Sequence, residues 1–135
     1  MTILHSRTGN TRKLAYAIAE EMGADIYEPG KSNELLVDIE SYDVIGFGSG
    51  IYSEQHNPLL LELAGKLPNV EVKPAFIFST CGFYTEELMI SNHTALRELL
   101  FDKGFTISGE FGCPGLNKNS FFKIFGGINK GDSRK

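Results

Sequence analysis

Six consecutive residues near the start of the chain, Ser6-Arg7-Thr8-Gly9-Asn10-Thr11, concentrate groups able to hold an anion. Ser6, Thr8 and Thr11 each offer a hydroxyl donor, Asn10 offers an amide, and Gly9 lets the backbone turn closely around a ligand. A phosphate dianion can be satisfied by such neutral donors. The loop lacks the lysine that the P-loop of ATP-binding enzymes adds, so ATP hydrolysis is disfavoured. Residues of these types also form turns and cap helices with no ligand at all. What stands on either side of the loop therefore decides its meaning.

On one side, Thr2 to His5 reads as a short strand. On the other, Asn10 to Met22 reads as a helix with Leu14, Ala17, Ile18 and Met22 on one stripe, closed by Gly23. A loop between a strand and a helix N-terminus faces unpaired N–H groups and the positive end of the helix dipole, where an anion is favoured. Further strands are expected over Asp25 to Glu28, Asp43 to Ser49, Pro74 to Ser79 and Phe105 to Glu110. Val44-Ile45-Gly46-Phe47 and Ala75-Phe76-Ile77-Phe78 are almost continuously apolar, as central strands buried on both faces must be. Asn57-Pro58 opens a second helix that Pro68 ends, Leu88 to Lys103 holds a third that Gly104 stops, and Lys31 to Tyr42 allows a short one. The alternation predicts a doubly wound α/β fold around a five-stranded parallel sheet, in one domain over residues 1–135.

The totals agree with that reading. The chain has 135 residues, 41% hydrophobic and 22% charged, ordinary values for a globular domain. No apolar run reaches the ~20 residues of a spanning helix, and Met1 to Leu4 leads into polar residues, so no membrane association and a cytoplasmic location are expected. Residues 1–110 carry 8 Lys/Arg against 16 Asp/Glu, and residues 111–135 carry 5 against 1. The acidic body argues against nucleic acid as a partner. Cys81 and Cys113 have no zinc-ligand spacing and end strands expected to be neighbours; small apolar packing is their ordinary role. His5, His56 and His93 show no spacing typical of a metal site, and no metal is expected.

The loop Ser6 to Thr11 matches throughout the phosphate loop Thr/Ser-x-Thr-Gly-Asn-Thr, and by it the chain resembles the flavodoxin family. The order of strands and helices and the loops after the third and fourth strands are similar to those of short-chain flavodoxins over residues ~1–116. The resemblance implies FMN as cofactor and strand order 2-1-3-4-5, with the ligand beyond the carboxyl ends of the strands where the order reverses. That rule has flavodoxin itself among its standard examples.

Two further loops open on the same edge. Gly48-Ser49-Gly50-Ile51-Tyr52-Ser53 follows the third strand, and Ser79-Thr80-Cys81-Gly82-Phe83-Tyr84 follows the fourth. A flavin ring is flat and largely apolar with polar pyrimidine atoms, which suits aromatic stacking and backbone hydrogen bonds at its edge. Tyr52 and Tyr84 are the stacking candidates, with Phe83 able to replace Tyr84. Likeness to flavodoxins implies that Thr80, Cys81 and Gly82 offer backbone groups to the pyrimidine end and that a peptide between Gly48 and Tyr52 faces flavin N5. Gly50 is the expected hinge, because a glycine peptide can turn over when N5 gains a proton.

The chain departs from the family pattern at its ends. The first strand is short, and the final helix is absent or replaced by the segment holding Phe121, Phe122, Ile124, Phe125 and Ile128. That segment either covers the sheet or forms a partner surface, in a monomer or weak homodimer. The leading function is electron transfer through FMN between redox partner proteins, a reductase and an acceptor, with no catalytic residue of the chain's own. The alternatives are an FMN-dependent NAD(P)H:quinone-type reductase, for which the short loops leave little room, and a flavin-free interaction domain of the same fold. A response-regulator receiver is excluded, because His5, Ser6 and Ser49 stand where it needs acidic residues.

Overall fold

The computed structural model describes residues 2–5, 10–29, 38–52, 54–81 and 85–113. The expectations for Ser6 to Gly9, for most of the short helix over Lys31 to Tyr42, for Ser53, for Gly82 to Tyr84 and for the segment from Phe121 to Ile128 lie outside those residues.

The described elements alternate along the chain. Strand β1 (Thr2–His5) leads to helix α1 (Asn10–Met22) and to β2 (Ile26–Tyr27). A single 3-10 turn at Ile39–Ser41 precedes β3 (Ile45–Tyr52), β4 (Gln55–His56) and α2 (Pro58–Gly65). Strand β5 (Lys73–Thr80), α3 (Glu86–Asn92), α4 (Thr94–Asp102) and β6 (Phe105–Cys113) follow. The sheet runs β2-β1-β3-β5-β6, with each neighbouring pair parallel, and β4 adds a short antiparallel partner to β3.

Several elements differ from the sequence-based expectation: β4 adds an antiparallel strand to the five parallel ones expected, and β6 runs to Cys113, beyond Glu110. The strand expected over residues 25–28 keeps only Ile26 and Tyr27. Gly50, Ile51 and Tyr52, expected in a loop, extend β3: Gly50 pairs with Thr80, and Ile51 and Tyr52 pair with His56 and Gln55. The turn between β3 and β4 holds Glu54 at φ 65, a conformation that sequence patterning does not reveal for a glutamate. The single helix expected over Leu88 to Lys103 is two short helices that meet at His93, where Asn92 and His93 are both buried.

Other signals act as their chemistry requires. Asn57 caps α2 by accepting from the Leu59 N–H at 2.9 Å, with Pro58 in the first turn. Gly104 adopts φ +101, and a Cβ there would lie 1.8 Å from the Val70 carbonyl oxygen, so only glycine fits.

The period-2 alternation of the central strands divides the core in two. Ile45, Phe47, Ala75 and Ile77 face α2 and α4, packing with Leu60, Leu63, Leu96, Leu100 and Phe105. Phe76 and Phe78 face α1, packing with Leu14, Ala15 and Ile18. On that second face the two phenylalanine rings lie across Gly46 and Gly48, where an added Cβ would meet ring carbons at 2.1 Å. Two glycines in a strand are unfavourable by propensity, and here they make room for rings from the next strand.

Strand β6 changes face midway. Ala75 pairs with Ile107 but Phe76 pairs with Gly109, so Ser108 is an extra residue, a β-bulge. The Ser108 hydroxyl donates to the Ala75 carbonyl at 3.1 Å. Beyond the bulge Glu110 stands opposite Ile77 and shares its face, while Phe111 stands opposite Phe78 and joins the α1 side, its ring 5.7 Å from that of Phe76. Were Ser108 paired in register instead of bulged out, these two side chains would exchange faces.

Candidate functional site

The carboxyl ends of β1, β3 and β5 form one edge, and the chain leaves β1 to build α1 and β2 on one side and returns to place β3 on the other. Such a reversal leaves a crevice at the sheet edge. Ser49 and Thr80 end the apolar runs of β3 and β5, and His5 lies opposite Ser49. Alternation then sends the last two residues of β5 in opposite directions, Thr80 toward α1 and Ser79 toward α3 and α4.

On the α1 side, Thr11 in the first turn of the helix and Thr80 at the end of β5 are both buried, and their hydroxyls share a 2.7 Å hydrogen bond. Two residues 69 positions apart, chosen from separate loops in the sequence, are thus brought into contact at the helix N-terminus. Asn10 opens the helix beside them. Cys81 follows Thr80 and is half-buried, and Gly50 pairs with Thr80 across β3 and β5. Ser49 is fully buried and its hydroxyl is engaged within the fold, donating to the Gly50 carbonyl at 2.6 Å and accepting from the Asn57 N–H at 2.9 Å. It braces the β3 turn.

On the opposite side the structure assembles a polar array that sequence spacing did not reveal. Ser79 lies 2.7 Å from Nε2 of His93, and Nδ1 of His93 lies 3.0 Å from a Glu110 carboxylate oxygen. Arg97 donates to both oxygens of Glu110, from Nε at 2.9 Å and from a terminal nitrogen at 2.8 Å. A terminal nitrogen of Arg97 also reaches the Ile90 carbonyl at 2.8 Å. The His56 ring packs against that of His93 with centroids 4.7 Å apart, and its Nε2 lies 3.1 Å from the Phe78 carbonyl oxygen.

The charge states follow from the partners. Burial pushes the Glu110 carboxyl upward, but hydrogen bonds from His93 and Arg97 outweigh it and hold the group down at about 2. Burial, reinforced by neighbouring His93, lowers His56 to about 3, so its ring is neutral. A carbonyl can only accept, so Nε2 of His56 carries the hydrogen and Nδ1 is bare; that buried atom has no hydrogen-bond partner among the described residues. The Glu110 carboxylate can likewise only accept, so Nδ1 of His93 carries a hydrogen.

None of His56, His93, Arg97 and Glu110 was singled out by motif. The available signal was Glu110, a charge inside an otherwise uncharged strand. The contact itself depends on the bulge at Ser108 and on the helix break at His93, neither of which has a local signature. Among the described residues no group of His, Cys, Asp and Glu is arranged to hold a metal ion. No described helix is long and apolar enough to cross a membrane.

An α/β sheet with an anion-favouring helix N-terminus at its topological reversal defines a class of nucleotide-binding folds. Within that class the chain belongs to the flavodoxin family: residues 1–100 match the family model described as a flavodoxin domain. It is similar to an uncharacterized protein of Methanocaldococcus jannaschii, 46% identical over 121 residues that span 90% of this chain and 77% of the relative. Among solved structures, the two-electron reduced flavodoxin of Megasphaera elsdenii superposes with a TM-score of 0.63 at 27% identity, over 88% of this chain and 90% of that one. A flavoprotein of Lactobacillus acidophilus in complex with FMN shares the fold, with a TM-score of 0.64 at 17% identity over 82% and 91% of the two chains.

Proposed function

We propose that this chain binds FMN at the carboxyl edge of its sheet and carries electrons between redox partner proteins in the cytoplasm. The observation that carries this reading is the Thr11–Thr80 hydrogen bond at the N-terminus of α1. It joins the first turn of α1 to the end of β5 at a helix N-terminus, where backbone N–H groups and the helix dipole favour a phosphate.

The residues fit that group. Thr11 and Thr80 supply neutral hydroxyls, each with bonding capacity beyond the bond they share. Ser6 to Asn10 would add further donors to the phosphate, and Gly50 to Tyr52 and Cys81 to Tyr84 would flank the ring. The bound flavin would supply the one- and two-electron chemistry, and this chain would bind it, orient it and limit water at its buried side. Family membership, the Megasphaera flavodoxin and the FMN complex of the Lactobacillus protein support the reading.

The test is to mix the purified protein with FMN, desalt it and record the visible spectrum. Retained flavin bands, reduced stepwise by dithionite and stable to NADPH, are the expected result. Rapid bleaching by NADPH alone would replace the carrier with a quinone-type reductase. A colourless protein would leave an interaction domain.

A further inference from the structure

The Ser79–His93–Glu110–Arg97 array has the order hydroxyl, imidazole, carboxylate, which in hydrolases activates a nucleophile. Ser79 is only 2% exposed and His93 is wholly buried, so the hydroxyl faces the interior and meets no substrate. The array holds a proton position.

Its members differ in what they can do. Arg97 is always a cation. Glu110 is held as an anion by two donors, and His56 is held neutral by burial. His93 alone has partners that suit both of its protonation states. Glu110 accepts from Nδ1–H in either state. Ser79 can donate to a bare Nε2 or accept from Nε2–H, because a hydroxyl does both. The charged and titratable groups facing His93 are His56 from β4, Glu110 from β6 and Arg97 from α4. In α3 the acidic residues are Glu86 and Glu87, exposed in its first turn. The Glu110 side chain is 20% exposed and that of Arg97 is 28% exposed, so the array reaches solvent at its outer end. At its inner end Ser79 is the residue before Thr80, which meets Thr11 at the candidate ligand edge.

We infer that His93 is a redox-linked proton acceptor for the proposed flavin site, taking up a proton when an electron enters. The inference rests on the flavin reading above. The balance is one electron from the reductant and one proton from solvent, which ends on His93 Nε2. Ser79 keeps its own hydrogen and turns from donor to acceptor, and no covalent bond of the protein other than that N–H is formed or broken. His93 acts through Ser79 and through charge, without touching the ligand. A negative charge added at the edge favours the imidazolium, and linkage requires the converse, that the imidazolium favours the reduced state.

The experiment uses FMN-loaded protein with 15N-labelled histidine, followed between pH 5.5 and 8 in the oxidised and dithionite-reduced states. The expected result is that the His93 Nε2 resonance moves toward its protonated position on reduction at constant pH, while His56 stays neutral. Photoreduction in weakly buffered solution should take up about half a proton or more per flavin beyond the uptake of His93→Gln, over part of that range. A His93 resonance that reduction leaves unmoved throughout the range overturns the inference while leaving flavin binding intact. The resonance measurement needs no variant, so it decides even if His93→Gln misfolds. A protein that retains no flavin overturns both readings together, and the spectrum after desalting tells the two failures apart.

Discussion

Adjacent residues of β5 serve two different kinds of interior. Phe76 and Phe78 point toward α1 and fill a dry, close-packed layer in which even a glycine-to-alanine change meets an aromatic ring. Ala75 and Ile77 point the other way, into a larger apolar core that ends at the sheet edge in two buried histidines. The same division continues to the strand's last two residues. Thr80 meets a hydroxyl of α1, and Ser79 meets an imidazole tied to a carboxylate and a guanidinium. One side is held by shape and uncharged hydrogen bonds, the other by ionised groups whose states depend on one another. A single strand therefore sets a pH-insensitive support beside a pH-sensitive one at the same edge.

The strongest way to break that division is to remove the Glu110 carboxylate. Glu110→Ala would leave the Arg97 guanidinium and Nδ1–H of His93 without their shared acceptor. Removing one partner of this partly buried ion pair is expected to cost about 3 kcal/mol of stability, read as a lowered urea midpoint. Retention of wild-type stability would mean that this side of the sheet is not held by its ionised groups. Glu110→Gln, which keeps the shape and one acceptor oxygen, should lose less.

A smaller effect separates the faces by pH. His56 titrates near 6.5 when unfolded and at about 3 in the fold, so between those values the unfolded chain binds more protons and stability falls as pH falls. Its contribution is present above about 6.5 and is expected to shrink by about 2 kcal/mol between pH 7.5 and pH 5. Glu110 adds a second loss lower down, as pH falls from its ordinary 4.5 toward about 2. In His56→Gln the loss between pH 7.5 and pH 5 should shrink by about that amount, because glutamine does not titrate and can still donate to the Phe78 carbonyl. Urea unfolding at each pH measures it. An unchanged slope would place the sensitivity elsewhere.

The two faces were not equally legible in the sequence. Short apolar runs, Pro58 after Asn57, and Gly23 and Gly104 marked the elements, because each acts within a few residues of itself. Thr11 and Thr80 could be assigned to one edge, since the order of elements alone places both loops there. The array around His93 could not. It joins β4, β5, α4 and β6, and its geometry depends on one inserted residue and on a helix interrupted where the pattern from Leu88 to Lys103 runs on unbroken. The glycines of β3 were readable as weak points of a strand, but the rings that make them necessary come from residues 30 positions later, Phe76 and Phe78.

The smallest expected effect sharpens the comparison on the uncharged side. Thr11→Val keeps the shape of the side chain and removes one partner of the 2.7 Å bond, leaving the Thr80 hydroxyl buried beside a methyl group. Loss of about 1 to 2 kcal/mol follows from stranding that hydroxyl, and Thr80→Val should lose a similar amount. Removing both hydroxyls leaves neither stranded, so the double variant should be more stable than the sum of the single losses implies, with a coupling of about 1 kcal/mol. Neither valine adds or removes a titrating group, so the coupling should be the same at pH 7.5 and pH 5. A coupling that varied with pH would show that the two sides of β5 communicate through the strand, and the separation drawn between Ser79 and Thr80 would fail.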